Sequence, residues 1–319
     1  MLDSMAIRVG DALRTATARL AAAGQPASDA EELLSRLLGV GRAELRRLAM
    51  ASDTLRPEAA EAPTITLRPE VAAALVAQLA RRVAGEPVQY ITGRAAFRHI
   101  DLAVDRRVLI PRPETELLVD AVLEYLAHGD WSRRPPRVLD LGTGSGCIAL
   151  AIAHEHATAL LTATDASEGA LAVARGNAAA LGLESRVAFA HGAWFEAVGA
   201  DERYDVVVSN PPYISHGEAA ELPTDVRDWE PPAALFADDE GLADVRDILE
   251  DAPRHLLTDG LLALELAEAR AAQVAGWLEG AHDWRGVELR DDLAGRPRLL
   301  LARREHGPAI APAQWGEER

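Results

Sequence analysis

Apolar residues recur at helical spacing through the first part of the chain. "VGDALRTATARLAAAG", "ASDAEELLSRLLGVG", "GRAELRRLAM" and "LRPEVAAALVAQLARRVAGE" carry Leu, Val and Ala on one face and run out near glycines. This pattern predicts a small helical domain over residues 1 to about 86, with Ser28 as an N-cap and Glu31 three residues on completing a capping box. From Val88 the pattern changes to "VQYITGRAAFRHIDLAVDRRVLIPRPETE", rich in β-branched and aromatic residues around a glycine, which predicts a β-hairpin linker over about 87–112. From Arg137 short apolar runs alternate with helical segments: "RVLDLG", "LLTATD", "RVAFAHG", "YDVVVSN", "LLALELA", "GVELRD" and "RPRLLLARR". Alternation of this kind predicts an α/β domain over 113–305, a doubly wound parallel sheet with helices on both faces. The tail 306–319 holds Pro, Gly and polar residues and is expected to fray.

Composition narrows the possibilities. About half of the 319 residues are apolar, enough to bury a large core. The N-terminus has no uninterrupted apolar stretch of the kind a secretory leader carries, and no segment reaches the ~18 apolar residues of a membrane span. A soluble, cytoplasmic protein with no membrane partner is the expectation. The one cysteine, Cys147, has no partner for a disulfide or a cysteine metal site and is expected to be a small buried residue. His154 and His156 do not share a helical face and have no carboxylate and cysteine set beside them, so no metal site is expected. A net charge of −17 argues against a broad phosphate-binding face and against stable nucleic-acid binding. All 33 basic residues are arginine, and this bias carries no mechanistic weight.

Two stretches carry chemistry. In "VLDLGTGSGCIALAIA" a strand, a glycine loop (Gly142, Thr143, Gly144, Ser145, Gly146) and a helix follow one another, so the backbone turns tightly and offers free N–H groups to a nucleotide-like cofactor. After the next strand comes Asp165, where a carboxylate can accept ribose hydroxyls. A glycine loop alone is as readily a bare tight turn, but loop, helix, strand and acid in this order favour cofactor binding. The lack of a third glycine at dinucleotide spacing leans from a dinucleotide towards S-adenosyl-L-methionine.

The second stretch, "DVVVSNPPYIS", places Asn210, Pro211, Pro212 and Tyr213 behind a buried strand. Asn-Pro by itself is a common turn opener. At the carboxyl ends of a doubly wound sheet, however, strands one and four flank the same crevice, and Asn210 should face the glycine loop. An amide or aromatic-amine nitrogen is a poor nucleophile because its lone pair is delocalised. The Asn210 side-chain oxygen and the Pro211 carbonyl can accept its two N–H groups and hold it in line. The prolines stiffen the turn and offer no competing N–H, and Tyr213 supplies a face for a flat group. The acidic segment from Glu218 to Glu230 reads as a solvated loop, or, from its place after Tyr213, as a lid.

With these residues in hand the chain resembles the bacterial release factor N5-glutamine methyltransferases, which methylate the glutamine of the Gly-Gly-Gln tripeptide in class 1 peptide chain release factors. The resemblance runs from about Ser28 to Arg303 and is carried by "GEPVQYITG", "VLIPRPETELLVD", "DLGTGSGCIALAIA", "VVVSNPPYI", "EPPAALFADDEGL" and "DLAGRPRLL". It implies a seven-stranded class I methyltransferase sheet with a helical domain that binds the release factor. It also implies that Gly142 to Gly146 hold the methionine part of the donor and Asp165 the ribose, that Trp194 lies near the adenine, and that Phe97 closes over the donor. Asn210 to Tyr213 then bind the glutamine, with Asn210 also beside the donor and Asn210 and Pro211 catalytic. "PRPETE", otherwise a proline-stiffened linker, would help shape the acceptor pocket. Ala193 stands where the family usually has an acid, which removes a polar contact to the adenine from what the resemblance implies. "DAS" replaces the usual "DIS", and "LELAEARAAQ" lacks the usual glycine and glutamine after Leu-Glu. The competing reading is a nucleic-acid amine methyltransferase acting on adenine N6 or guanine N2 with the same four residues on an exposed base. The acidic balance, the lack of an evident target-recognition domain and the "IPRPETE" segment weigh against it. A binding module that has lost catalysis would be expected to have lost Asn210 or the glycine loop, and both are intact.

Overall fold

The computed structural model describes residues 7–53 and 66–305. The tail expected to fray, 306–319, lies outside the described residues. The chain divides into two compact units: one runs up to Gly93 and includes Pro223–Trp229, the other comprises Arg94–Leu222 and the chain from Glu230 onwards.

The first unit is helical, with α1 (Val9–Ala22), α2 (Asp29–Leu38), α3 (Arg42–Asp53), α4 (Pro69–Val83) and the short α5 (Val88–Thr92). Leu20, Leu33, Leu34, Leu45, Leu75 and Leu79 face one another in its core, as the spacing predicts. The capping box expected at Ser28 does not form. Ser28 has helical backbone angles, which turn its hydroxyl away from the first-turn N–H groups, and Glu31 pairs with Arg46 instead. The hairpin expected from Val88 begins later than the β-branched residues suggest. Val88–Thr92 closes a helical turn in which the Thr92 hydroxyl donates to the Val88 carbonyl, and left-handed Gly93 ends it. A helical turn at Thr224–Arg227 belongs to this unit too, with Asp225 3.7 Å from buried Arg82.

The second unit opens with the hairpin β1 (Arg94–Phe97) and β2 (Ile100–Ala103), then α6 (Pro113–His128). The main sheet holds β3 (Arg137–Leu141), β4 (Leu160–Asp165), β5 (Val187–His191) and β6 (Tyr204–Ser209). A two-stranded parallel pair follows, β7 (Ile214–Ser215) with β8 (Phe236–Ala237). The main sheet is completed by β9 (Leu256–Glu265), β10 (Trp284–Asp291) and β11 (Pro297–Arg304), in the order β10-β11-β9-β6-β3-β4-β5. These seven strands are the apolar runs read from the sequence. The sheet is mixed rather than wholly parallel: β11 runs antiparallel to both β9 and β10, because β10 and β11 are joined by a tight turn at Asp292–Arg296 too short for a crossover.

Strand alternation sorts the apolar side chains onto two faces. Val138, Val206, Val208 and Ala263 pack with α6 and α7 (Cys147–Glu155) on one. Leu139, Leu141, Val207 and Leu264 pack with α9 (Ala243–His255) and α10 (Glu268–Glu279) on the other. With both faces covered, these strands read as continuous apolar runs. The helix α8 (Glu168–Leu181) follows β4. Because β4 and β6 lie on opposite sides of β3, strand order reverses at β3, and a crevice opens beyond the carboxyl ends there.

Candidate active site

The glycine loop leaves β3 with Gly142, Gly144 and Gly146 all at positive φ, a region side chains rarely adopt. A Cβ on Gly142 would come 3.4 Å from the Trp194 ring, so the loop and the indole are in close approach. Thr143 and Ser145 are buried inside the loop. Beneath it Asp140 is fully buried; its Oδ2 accepts from the Thr143 hydroxyl at 2.6 Å and from the Ala149 N–H at 3.2 Å. Burial pushes the Asp140 carboxyl up to about 7. Asp165, at the end of β4, accepts the Gly144 N–H at 2.9 Å and the Ser167 N–H at 2.8 Å, one on each carboxylate oxygen. Burial raises its pKa as well. A carboxylate oxygen has lone-pair capacity beyond one hydrogen bond, so these contacts fix Asp165 without exhausting it.

A cavity of about 380 Å³ lies beyond these strand ends, within the sheet unit. Gly142, Gly144, Asp165, Trp194, Asn210 and Pro212 all line it, and so do Arg107–Leu109, Ala193, Pro231, Ala233, Ala234 and Asp244. Thr143, Ser145, Gly146, Pro211 and Tyr213 belong to the same loops but do not line it. Phe97 corrects the expectation that it closes over a donor: only 1% exposed, it sits in the core cluster with Leu102 and Ile148, and the alternation of β1 turns it inward. Cys147 is half-buried as a residue, and burial of its thiol pushes the pKa up to about 12, so it stays protonated. His156 accepts the Ala159 N–H through Nδ1, a structural role.

The register of β6 and β9, Ser209 opposite Leu264, brings Asn210 and Glu265 out side by side. Asn210 Nδ2 donates to the Thr115 hydroxyl at 3.2 Å, and that hydroxyl donates to Glu265 Oε2 at 2.7 Å. Tyr213 Oη donates to Glu265 Oε1 at 3.4 Å. Burial first, then the adjoining Glu265 charge, raises the Tyr213 pKa, so the phenol stays neutral. Thr115 comes from the first turn of α6, within "PRPETE". Arg112 of the same stretch binds buried Glu230 at 2.6 Å, which fixes the segment leading to Pro231 and Ala234 on the cavity wall.

The far side of the tetrapeptide is held by backbone. Gly241 (φ +88°) lies so close that a Cβ there would come within 2.3 Å of the Tyr213 carbonyl oxygen. Ser215 and Glu218 form the reciprocal cap that Ser28 does not, directly behind Tyr213. The acidic segment is thus folded into short helical turns at His216–Glu221 and Thr224–Arg227. Sequence reading missed Thr115, Glu265, Asp140 and Asp244 as site residues. The available signal was an acid, Asp140 or Glu265, interrupting an apolar strand at its carboxyl end.

A family described as "Methyltransferase small domain" matches residues 115–224, and one described as "PrmC N-terminal domain" matches residues 11–93. The catalytic domain of hMettl16 bound to an RNA hairpin shares the fold alone, at 16% identity and a TM-score of 0.51 over 77% of this chain and 85% of that one. A release factor glutamine methyltransferase of Bordetella pertussis is 42% identical over 280 residues, 88% of this chain and 96% of the relative. One from Cereibacter sphaeroides is 43% identical over 300 residues, 93% of this chain and 99% of the relative. At that identity over nearly the whole of both chains, this chain belongs to the release factor glutamine methyltransferase family.

Proposed function

We propose that the protein transfers a methyl group from S-adenosylmethionine to the side-chain amide nitrogen of the glutamine in the Gly-Gly-Gln motif of class 1 peptide chain release factors. The observation that carries this is that Asn210 and Pro212 share one cavity with Gly142, Gly144, Asp165 and Trp194. The wall fits the donor: a cradle of glycines at positive φ beside an indole face, and a carboxylate with lone pairs to spare at the end of β4. S-adenosylmethionine, when bound, supplies a methyl carbon made electrophilic by its sulfonium. Gly142 to Gly146 and Asp165 hold it, with Trp194 against its base.

The protein's own part is to make a delocalised amide nitrogen react. The Asn210 side-chain oxygen and the Pro211 carbonyl accept the two N–H groups of the incoming glutamine. That aims the nitrogen lone pair into the cavity and favours its tetrahedral form, where these contacts strengthen. Tyr213 packs beside the amide, and Glu265 holds its hydroxyl away from it. The helical unit, which carries no catalytic constellation among its described residues and has mixed charge, binds the release factor beyond the tripeptide. The site of action is then the cytoplasm, where release factors work.

The test is transfer of labelled methyl from S-adenosylmethionine to purified release factor, with RNA and DNA in parallel and the label mapped by peptide mass spectrometry. Label on the glutamine of Gly-Gly-Gln is expected. Label on a base and none on the protein would overturn the reading in favour of a nucleic-acid amine methyltransferase.

A further inference from the structure

An asparagine side chain has two faces of nearly the same shape and opposite chemistry. Turned one way, Asn210 offers an acceptor to the glutamine amide; turned the other, it offers N–H against N–H. Nothing in the tetrapeptide decides between these, and the choice falls to what lies behind Asn210. There the Thr115 hydroxyl, with a single hydrogen, stands 2.7 Å from a carboxylate oxygen of Glu265 and 3.2 Å from Asn210 Nδ2. Both Glu265 oxygens accept here, Oε2 from the Thr115 hydroxyl and Oε1 from the Tyr213 phenol, so the single Thr115 hydrogen is committed to Glu265 and the Thr115 oxygen is left with lone pairs alone. It can then only accept from Asn210, which must present its NH2 group to Thr115 and its oxygen to the cavity.

We propose, on the reading of function above, that Thr115 and Glu265 are positioning residues that fix the orientation of the Asn210 amide through this chain of hydrogen bonds. The same carboxylate reaches Tyr213, so one group braces the first and last residues of the tetrapeptide. Glu265 is 1% exposed, and groups facing it come from several elements: Thr115 and Glu114 from α6, Tyr213 after β6, and Arg298 from β11. Arg298 opposes the cost of burying the carboxylate while its own guanidinium is anchored on the Leu266 carbonyl. This accounts for an acid directly after the apolar run Leu261–Leu264 of β9, and for the threonine in "PRPETE".

The experiment compares the full-length wild type with Thr115→Val, which keeps the shape and removes the hydroxyl, Thr115→Ser, which keeps the hydroxyl, and the pair Asn210→Ala with Thr115→Val. Turnover on intact release factor is measured alongside calorimetric affinity for S-adenosylhomocysteine. Thr115→Val should lower kcat by roughly 10- to 100-fold, the scale for a misplaced catalytic contact, with donor-product affinity within about twofold. Thr115→Ser should recover most of the rate. The double variant should be no slower than Asn210→Ala alone, because both changes remove the same oriented group. Normal kcat in Thr115→Val, losses that multiply in the double variant, or a parallel fall in product affinity would each overturn the relay. If the wild type itself leaves the release factor unmethylated, the reading of function fails instead, so the two failures are distinguishable.

Discussion

In the helical unit most of the ion pairs lie at the surface, Arg46 with Glu31 and Arg36 and Arg42 with Glu32 among them, over a core chiefly of Leu, Val and Ala. The sheet unit takes polar groups inside. Asp140, Thr143, Ser145, Thr164, Ser209, Thr115 and Glu265 are all buried, and they gather around the carboxyl ends of β3, β4, β6 and β9. A surface pair is solvated in both the folded and unfolded chain and contributes little to stability. A buried carboxylate must be held by hydrogen bonds or take up a proton, at a cost that a structural role alone would not favour. Where a fold retains such groups together, chemistry is the better explanation. The helical unit has its exceptions among the described residues, Ser35, Arg82 and Glu86, but its buried charges are matched, Arg82 by Asp29 at 2.8 Å and Glu86 by Arg81 at 2.6 Å.

The contrast can be broken most sharply at Asn210. Asn210→Ala should lower kcat by roughly 10²- to 10³-fold, the scale for losing one oriented transition-state donor or acceptor, with little change in donor affinity. Near-normal turnover in a single-turnover assay would reduce Asn210 to a turn residue.

A smaller loss is expected at Gly241, where a methyl group meets the Tyr213 carbonyl and the backbone sits at φ +88°. Gly241→Ala should destabilise the protein by more than about 1 kcal/mol in urea melts and slow turnover by roughly tenfold by displacing the loop. A stable variant with wild-type kcat would show that the loop does not need this contact.

Asp140 sharpens the comparison through pH. Its folded pKa, raised by burial to about 7, exceeds that of an exposed aspartate, so the folded state holds the proton more tightly. The stability it contributes is complete below the unfolded value of about 4 and is lost as pH rises through about 7. Thermal unfolding between pH 5 and 8 should therefore fall more steeply in the wild type than in Asp140→Asn. Equal slopes would remove Asp140 as the cause; Asp165 and Glu265, shifted the same way by burial, would remain.

The smallest effect is expected in the helical unit. Arg46→Ala breaks an exposed pair and should leave the denaturant midpoint almost unchanged, with no change in turnover on a short Gly-Gly-Gln peptide. A larger loss in a denaturant titration would mean that surface pairs matter more here than the contrast allows.

Much of this was legible in the sequence. Hydrophobic period separates helices from strands because an α-helix repeats every 3.6 residues and a strand every two. The helices of the first unit follow from that period, while the seven strands show instead as short continuous apolar runs, because both faces of the sheet are covered. The glycine loop, Asp165 and Asn210 to Tyr213 stood out because tight turns and oriented carbonyls demand particular residues. Local rules misled where tertiary context overrode them, as Ser28 took helical angles and Val88–Thr92 became a helical turn; the resemblance misled at Phe97, which faces the core rather than a ligand. Only the folded chain could join Thr115 to Asn210 and Glu265, 95 and 150 residues away, because that meeting depends on the β6–β9 register and on where α6 begins. Composition and period act within a few turns of the chain. Hydrogen bonds between side chains are set by distances in space, and these the sheet order decided.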